Sequence, residues 1–470
     1  MRDAWRVLLD TGSGRVGVAF LAILVLVSLF VVVRLPLDFG STRWNNPAVW
    51  ADNPKSAPPA WWAWFRPGKT VPHAVFQSSG PASGGLEQTY AFSYALKGDT
   101  PPSFMAFSLS DVRFSDRPPV VSMEVRRADG KSVVLLRQVV RGPRPGEQPP
   151  YVRYQDTPLR LNLSGENDVL ANVGGWFQDE FGVNVAPDEL QGKLEAAVFG
   201  VPTPGQPGEF QPLRGDYQFV VRAAMGNPSD SVGNVKVVMG GTVYGVMGTD
   251  ALGRDLALGL LFGFPVALVI GLSTSLLSTT LGTFLGILSG YMGGKTDIAI
   301  QRFSDIWSNI PLLPILVFLI FVLGQKLWLV VLMMILFGWP GLAIVVRSMV
   351  LQMRSGQLVE ATQALGASRM RIMFRHILFQ IAPFVFAQMI FFTPAAILAE
   401  AGLSFLGLGD PSIPTWGQIL ESGFRTGAVY VGYWWWVLPP GLLIVATAMT
   451  FVLLTLGLEP VVNPRLRSMR

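Results

Sequence analysis

Few side chains in this 470-residue chain could carry acid–base, metal or phosphate chemistry. Its only histidines, His73 and His376, are far apart in sequence, so a histidine-rich metal site and a His-based catalytic triad are excluded. The absence of cysteine excludes thiolate nucleophiles and disulfides. Three Gly-Lys-Thr or Gly-Lys-Ser tripeptides lack the upstream glycine of a phosphate-binding loop, which is replaced by Ala63, Val125 and Ser289. We therefore predict a chain that is not an enzyme, with no catalytic, cofactor-binding or metal site and no ATP hydrolysis of its own.

One polar segment, residues 355–375, has instead the pattern of a docking element. Leu358, Ala361 and Leu365 share one face of a predicted helix. Gly366 follows directly, at the position where a left-handed residue commonly ends a helix. The segment lies between two long apolar runs, so it predicts a compact amphipathic turn at the edge of a membrane bundle.

A second helix is predicted after this turn, with Ser368 as its capping residue. Its apolar positions are Ile372, Met373 and Ile377. The same region is rich in arginine: Arg347, Arg354, Arg369, Arg371 and Arg375. Because loops that stay on the cytoplasmic side carry an excess of Lys and Arg, we predict that this segment faces the cytoplasm.

Residues 360–369 resemble the Glu-Ala-Ala coupling loop of ATP-binding-cassette (ABC) importer permeases, and more narrowly the C-type permease subunit of dipeptide/oligopeptide (peptide/nickel) importers. Three further stretches share that likeness: residues 248–255, 290–297, and 405–410 with 414–417. The resemblance covers the first span and everything from about residue 248 onward. It assigns the coupling of ATPase and pore to Glu360, Ala361, Leu365, Gly366, Ala367, Ser368, Arg369 and Arg371.

The resemblance implies a type I ABC importer permease fold with six transmembrane helices in the plasma (inner) membrane. It also implies a set of partners: a homologous B-type permease in a heterodimer, two cytoplasmic ABC ATPase subunits, and an extracytoplasmic solute (peptide) binding protein. It implies dipeptides or oligopeptides as the substrate, moved across the membrane by ATP hydrolysis in the partner subunits, and a nickel chelate or an oligosaccharide is the alternative cargo. A channel or receptor with an external sensor domain, or a membrane-anchored enzyme, are the alternatives from other classes.

Composition agrees with a membrane protein. Half of the residues are hydrophobic and only 14% are charged, which is too apolar for an ordinary soluble chain of this length. The net charge of +5 comes with arginines at span boundaries and without a basic face with interleaved aromatics. We therefore predict membrane lipid, and no nucleic acid, as a partner.

The apolar runs divide the chain into a first span (residues 1–37), a polar segment (38–245) and a permease core (246–470). Each run is long enough for a hydrocarbon core that needs about 20 helical residues. The predicted spans are residues 16–33, 264–290, 298–323, 327–346, 381–401 and 434–456. The first could be a cleaved signal peptide, but its length and the absence of a small-residue cleavage site favour a retained anchor.

Positive charge in the short loops places both termini in the cytoplasm. The basic residues concerned, beyond the coupling segment, are Arg2, Arg6, Arg15, Lys295, Arg302, Arg465, Arg467 and Arg470. Residues 38–245 would then be an extracytoplasmic domain inserted between the first and second spans.

The inserted domain is predicted to be mainly β. Residues 121–126 alternate apolar and polar and are followed by Asp129-Gly130 and a second apolar run, which is the pattern of a hairpin. Further strands are predicted at 90–96, 104–109, 159–163, 217–223 and 234–239, and helices at 169–181 and 187–198. Four aromatic residues have two open interpretations, core packing or the outer membrane interface: Trp61, Trp62, Trp64 and Phe65.

Small residues recur every fourth position in the second span: Thr274, Ser278, Gly282, Gly286 and Gly290. Small side chains let helix backbones approach closely in lipid, so this ladder predicts a helix–helix interface whose partner is open.

Ionisable residues within spans are costly and are candidates for function or pairing: Arg302, Asp305 and Glu400. Arg302 and Asp305 are three residues apart, so we predict that they pair on one helical face. Glu400 could line the translocation path or lie at the wet boundary. Pro311 and Pro314 predict a kink in the third span, and the long apolar loop 402–427 predicts a partly re-entrant element.

Overall fold

The computed structural model describes residues 8–462, which form two compact units. One unit runs up to Asn46 and resumes at Leu256; the other is Pro47–Asp255. The second unit starts nine residues after, and ends ten residues after, the predicted 38–245. The start shifts because residues 38–46 belong to the first unit, where the rings of Phe39 and Phe262 are 5.1 Å apart. The end shifts because the segment after residue 245 is hydrogen-bonded to the start of the second unit, for example Ser56 N–H to Asp250 O at 2.8 Å. Arg2, Arg6, Arg465, Arg467 and Arg470, used above for orientation, lie outside the described residues.

The α-helices follow in chain order. They are α1 Gly12–Arg34, α2 Pro47–Trp50, α3 Asn167–Phe181, α4 Pro187–Leu190, α5 Leu194–Val198, α6 Leu256–Met292, α7 Gly294–Asn309, α8 Leu312–Leu323, α9 Leu327–Arg354, α10 Gln357–Ala364, α11 Arg369–Arg371, α12 Leu378–Phe405, α13 Trp416–Arg425, α14 Ala428–Val431 and α15 Trp434–Val462. Short 3₁₀ or π-helical turns occupy Gly40–Trp44, Ala60–Phe65, Leu163–Gly165 and Ile372–Ile377.

Across residues 8–462, five helical stretches are long and apolar enough to cross a membrane. They are Gly12–Arg34, Leu256–Met292, Leu327–Arg354, Arg369–Phe405 and Trp434–Glu459. The helices α7 and α8 form a sixth span if they count as one, bent by 75°. The bend confirms the predicted kink: Pro311 lies at the break and Pro314 in the first turn of α8, where an amide hydrogen is not needed.

The unit Pro47–Asp255 is built on two antiparallel sheets. Its strands are β1 Ala74–Ser78, β2 Glu87–Leu96, β3 Met105–Phe114, β4 Val120–Arg126, β5 Ser132–Val139, β6 Tyr151–Arg153, β7 Leu159–Asn162, β8 Gly200–Thr203, β9 Gln206–Pro212, β10 Gly215–Ala224 and β11 Ser231–Met239. One sheet has the order β1-β11-β3-β6, with β7 also paired to β3, and the other has the order β2-β10-β4-β5. The strands β8 and β9 form a separate ribbon.

Alternation of apolar and polar residues places one face of each sheet in a common core. Tyr90 of β2, Phe107 of β3 and Phe219 of β10 are each at most 1% exposed, and α3 adds Val173 and Phe177 to the same cluster. The predicted β4–β5 hairpin is confirmed, with Gly130 at φ +81° in its turn. The predicted strands correspond to β2, β3, β7, β10 and β11, and the predicted helices to α3 and to the pair α4 and α5.

Candidate functional site: the coupling segment and its supports

The turn of the coupling segment, residues 355–375, forms as the local sequence predicts. The helix α10 ends at Ala364 with Leu365 as its C-cap, and Gly366 follows in the left-handed region at φ +76°. The hydroxyl of Ser368 accepts the N–H of Arg371 at 3.4 Å and caps α11. Positive φ strains residues with a Cβ, so glycine suits this turn.

The two faces of α10 have different environments. Val359 and Thr362 are 3% and 8% exposed and pack inward. Leu358 is 46% and Leu365 88% exposed, and Ala361 is exposed with them. The face that the sequence marks as apolar is therefore the outer face of the segment, and not the face that anchors it.

Charged and apolar groups are mixed on this outer surface. Glu360, Arg369 and Arg371 are exposed, and Met370 between the two arginines is 60% exposed. Exposed apolar side chains with a charged rim are a typical protein-binding surface. Such a surface is suited to binding a partner protein.

The inner side of the coupling segment is packed into the membrane-spanning unit. Val359, Ile372 and Ile377 belong to one buried cluster with residues of α6 and α9. Those residues are Ile287, Tyr291, Leu342, Val346 and Val350. In addition, the amide of Gln363 donates to the Tyr291 hydroxyl at 3.3 Å.

The segment is also continuous with a span. The helical stretch Arg369–Phe405 runs without a break from the capping turn through α12, over 37 residues. The turn and the span are therefore one continuous helical element, which contains the π-helical turn Ile372–Ile377 and two prolines, Pro383 and Pro394.

An ion pair that the sequence analysis did not identify ties three helices together beside this segment. The Arg347 guanidinium of α9 donates two hydrogen bonds of 2.5 Å to the Asp297 carboxylate of α7. The Ser289 hydroxyl of α6 donates to the same carboxylate at 2.5 Å, and Gln301 donates to Ser289 at 3.2 Å. Asp297 closes the 290–297 stretch that carries the family resemblance, which is the signal that could have pointed to it.

The predicted pair between Arg302 and Asp305 is wrong. Both side chains are exposed on α7, and over residues 8–462 they form no ion pair with each other. An exposed pair gains little Coulomb energy and must immobilise two side chains, so nothing fixes this one.

The ladder of small residues lies against α9. Gly282 approaches Trp339 and Leu342, and Gly286 approaches Ala343 and Val346. Gly290 faces Val350, while Ser278 donates to the Ile335 carbonyl at 3.4 Å. Thr274 is also buried, at 5% exposed. The partner helix that the sequence left open is thus α9.

Glu400 is buried, at 4% exposed, and does not lie at a wet boundary. Its carboxylate accepts a hydrogen bond from the Ser404 hydroxyl at 2.7 Å, and the Thr415 hydroxyl contacts it as well. Thr415 caps α13 by accepting the N–H of Gln418. Glu400 therefore joins α12 to the start of α13.

The loop 402–427 is largely helical. Its helix α13 packs against α6, α12 and α15. Trp416, 3% exposed, donates its indole N–H to the Leu260 carbonyl of α6 at 2.9 Å. The apolar side chains of this loop, noted in the sequence, are therefore explained by burial of α13 inside the membrane-spanning unit.

Comparisons with known proteins show which family this chain resembles. The family described as "Binding-protein-dependent transport system inner membrane component" matches residues 282–468. The dipeptide transport system permease protein DppC of Bacillus subtilis (strain 168) is 33% identical over 221 residues, which are 47% of this chain and 68% of that protein. The oligopeptide transport system permease protein OppC of the same organism is 34% identical over 222 residues, 47% of this chain and 72% of that protein. Among solved structures, the inward-facing MetNI methionine ABC transporter matches at 18% identity and a TM-score of 0.35, over 46% of this chain and 98% of that one.

This chain belongs to the family of inner-membrane components of binding-protein-dependent transport systems, the permeases of ABC importers. It is a multi-pass membrane protein and a transport subunit, and ATP hydrolysis in such systems is carried by separate subunits. Membership also implies ATPase partners and a substrate-binding protein. The family match does not include Pro47–Asp255.

Proposed function

We propose that this chain is a permease half of an importer for dipeptides or oligopeptides. The named relatives DppC and OppC are dipeptide and oligopeptide permeases, and each aligns with nearly half of this chain at about one-third identity. A homologous B-type permease would supply the other half of the pore in a heterodimer. An extracytoplasmic binding protein would deliver the peptide.

The coupling segment is proposed to dock on a cytoplasmic ATPase. The observation that carries this proposal is the 88% exposure of Leu365 at the tip of a turn whose other side is buried in the α6–α9 core. An apolar tip exposed to water is costly to a monomer and is stabilised when a partner covers it. ATP-driven closure of two such partners would tilt the segment and, through the stretch Arg369–Phe405, the span attached to it.

The orientation follows from charge. Lys295 lies in the first turn of α7, just after the end of α6, and Arg354 and Arg369 flank α10. We infer that these helix ends are cytoplasmic because basic loops are retained there. With six spans both termini share that side, and Pro47–Asp255, between the first and second spans, lies outside. We propose that this unit contacts the binding protein or the second permease. The rival role, shielding the mouth of the pore, would leave binding-protein affinity unchanged when the unit is altered.

The remaining polar and small residues receive structural roles in this proposal. The ladder against α9 keeps two spans at a fixed distance, and Glu400 holds α13 in place. Arg302 and Asp305, exposed on α7, would meet the aqueous path or the second permease.

The test uses the reconstituted complex and measures binding-protein-stimulated ATPase activity and peptide uptake. Glu360→Lys reverses a charge on the outer surface, and Gly366→Pro forces φ from +76° to about −65° and removes the 2.9 Å hydrogen bond from Gly366 N–H to Gln363 O. Both variants are expected to lose stimulation while the bundle stays folded. Gln352→Lys is the matched control, since it places the same side chain at an exposed position in the last turn of α9.

Stimulation that survives both changes would refute the coupling role. A purified complex without ATPase subunits would instead indicate a channel or receptor. The ligand found in the co-purifying binding protein decides between peptide and other cargo.

A further inference from the structure

The unit Pro47–Asp255 displays its most exposed aromatic rings on the 3₁₀ helix Ala60–Phe65. Trp64 is 82% and Phe65 68% exposed, and no residue of this helix is buried. Core packing, one of the two interpretations left open by the sequence, is thereby excluded for these two rings. Leaving large apolar rings in water costs roughly 25 cal/mol per Å², so their exposure points to a surface that is covered in the working protein.

The aromatic helix is held in a fixed conformation. Ala60 N–H donates to the Gly245 carbonyl at 2.8 Å, and the Trp61 indole donates to the Val246 carbonyl at 2.9 Å. Its rings also contact one another, with centroids of Trp62 and Phe65 5.5 Å apart. The surface is preformed and is not a flexible tail.

Other exposed apolar residues lie in the same two chain segments. Val246 is 68% and Leu252 62% exposed. The chain leaves the membrane-spanning unit through the first of these segments and returns to it through the second. The unit Pro47–Asp255 starts shortly before the first segment, and α6 begins at Leu256, shortly after the second. Only nine residues separate Val246 from Leu256, the start of a span, so even a fully extended chain would hold Val246 within about 35 Å of that span.

The charge of the aromatic segment is entirely basic. No Asp or Glu occurs between Asp52 and Glu87, whereas Lys55, Arg66 and Lys69 do. Within residues 8–462 neither Arg66 nor Lys69 forms an ion pair, and the Arg66 guanidinium lies 5.9 Å from the centre of the Trp62 ring. Tryptophan beside arginine and lysine is the composition of the bilayer interface, where rings settle at headgroup level and cations meet phosphates.

We propose that this surface docks on the headgroup region of an anionic phospholipid bilayer. We call it the aromatic patch: Trp61, Trp62, Trp64, Phe65 and Val246, with Arg66 and Lys69 at its rim. The rings lie at the boundary between glycerol and acyl chains, and the two cations bind lipid phosphates. Docking would fix the orientation of the external unit without any contact to a protein partner. It is independent of the transported substrate.

The absence of cysteine allows a direct test on the full chain. Trp64→Cys and Phe65→Cys, made separately so that one ring always remains, carry a nitroxide label in nanodiscs of phosphatidylethanolamine and phosphatidylglycerol. Val139→Cys is the matched control, because Val139 is 57% exposed on β5 of the same unit. Labels at 64 and 65 are expected to be more accessible to oxygen than to a water-soluble nickel reagent, and the label at 139 to show the reverse.

The role of the two cations is tested with the double substitution Arg66→Glu and Lys69→Glu in the chain that carries the nitroxide label at position 65. The accessibility of that label is measured again. This variant is expected to shift the label toward water, by roughly fivefold in the docked-to-free ratio for each cation, in anionic nanodiscs but not in zwitterionic ones. Labels at 64 and 65 that are as accessible to the nickel reagent as the label at 139 would overturn the proposal. Labels shielded from both oxygen and nickel only when other subunits are added would overturn it too, in favour of a protein interface.

Discussion

The close approach of α6 and α9 allows a quantitative prediction for Gly286→Ala. A Cβ at Gly286 would lie 2.7 Å from the Ala343 carbonyl oxygen and 2.7 Å from the Val346 Cβ. Ordinary van der Waals contact begins at 3.4 Å, so the two helices must separate locally by about 0.7 Å. The obstructing atoms belong to a helix backbone and a β-branched side chain, and neither can rotate away.

Overpacking of this kind costs about 1–3 kcal/mol. Alanine in place of glycine recovers up to ~1 kcal/mol through helix propensity, so the net loss for Gly286→Ala is expected to be roughly 1–2 kcal/mol. Gly341→Ala in α9 is the matched control, because a Cβ there meets nothing within 4 Å. It gains the same propensity without the clash and should be neutral or slightly stabilising.

The free energy of unfolding of the purified chain is measured in mixed micelles by titration with a denaturing detergent. The difference between the two variants isolates the overpacking cost. Equal stability of Gly286→Ala and Gly341→Ala would show that the ladder does not set the distance between α6 and α9.

Two further predictions use the same measurement. Asp297→Ala and Arg347→Ala should couple by roughly 1–3 kcal/mol in a double-mutant cycle, since the side chains are only 15% and 28% exposed; additive effects would contradict this. Burial raises the pKa of the Glu195 carboxyl above its unfolded value of about 4.5. Between these two pKa values the folded state binds more protons than the unfolded state, so the free energy of unfolding falls as pH rises through this window. Glu195→Gln should remove this slope and be the more stable form at neutral pH, and an unchanged slope would exclude Glu195 as its source.

Locally encoded features were predictable. The turn at Gly366 and the cap at Ser368 depend on residues within three or four positions, as does the β4–β5 hairpin around Gly130. The length of the apolar runs predicted the spans, because the rise of a helix per residue and the thickness of the bilayer are both fixed. The bend between α7 and α8 followed from Pro311, whose ring cannot continue the preceding helix.

Contacts between distant residues were not predictable in the same way. Spacing suggested that Arg302 would pair with Asp305, but the pair that forms joins Asp297 to Arg347, 50 positions later. Spacing also put Leu358 and Leu365 on one face without saying whether that face looks inward. The inserted unit's strand order, with β10 between β2 and β4, lies beyond local pattern for the same reason.

The amino-acid sequence by itself determined the class of this protein, which is an apolar bundle with a basic, amphipathic turn. The same sequence has no cysteine and only two histidines. Only the tertiary structure decided which surfaces are left uncovered, namely the tip at Leu365 and the rings of Trp64 and Phe65. Periodicity specifies which side chains share a face, whereas exposure depends on what packs against that face, and that is settled by residues far away in the chain.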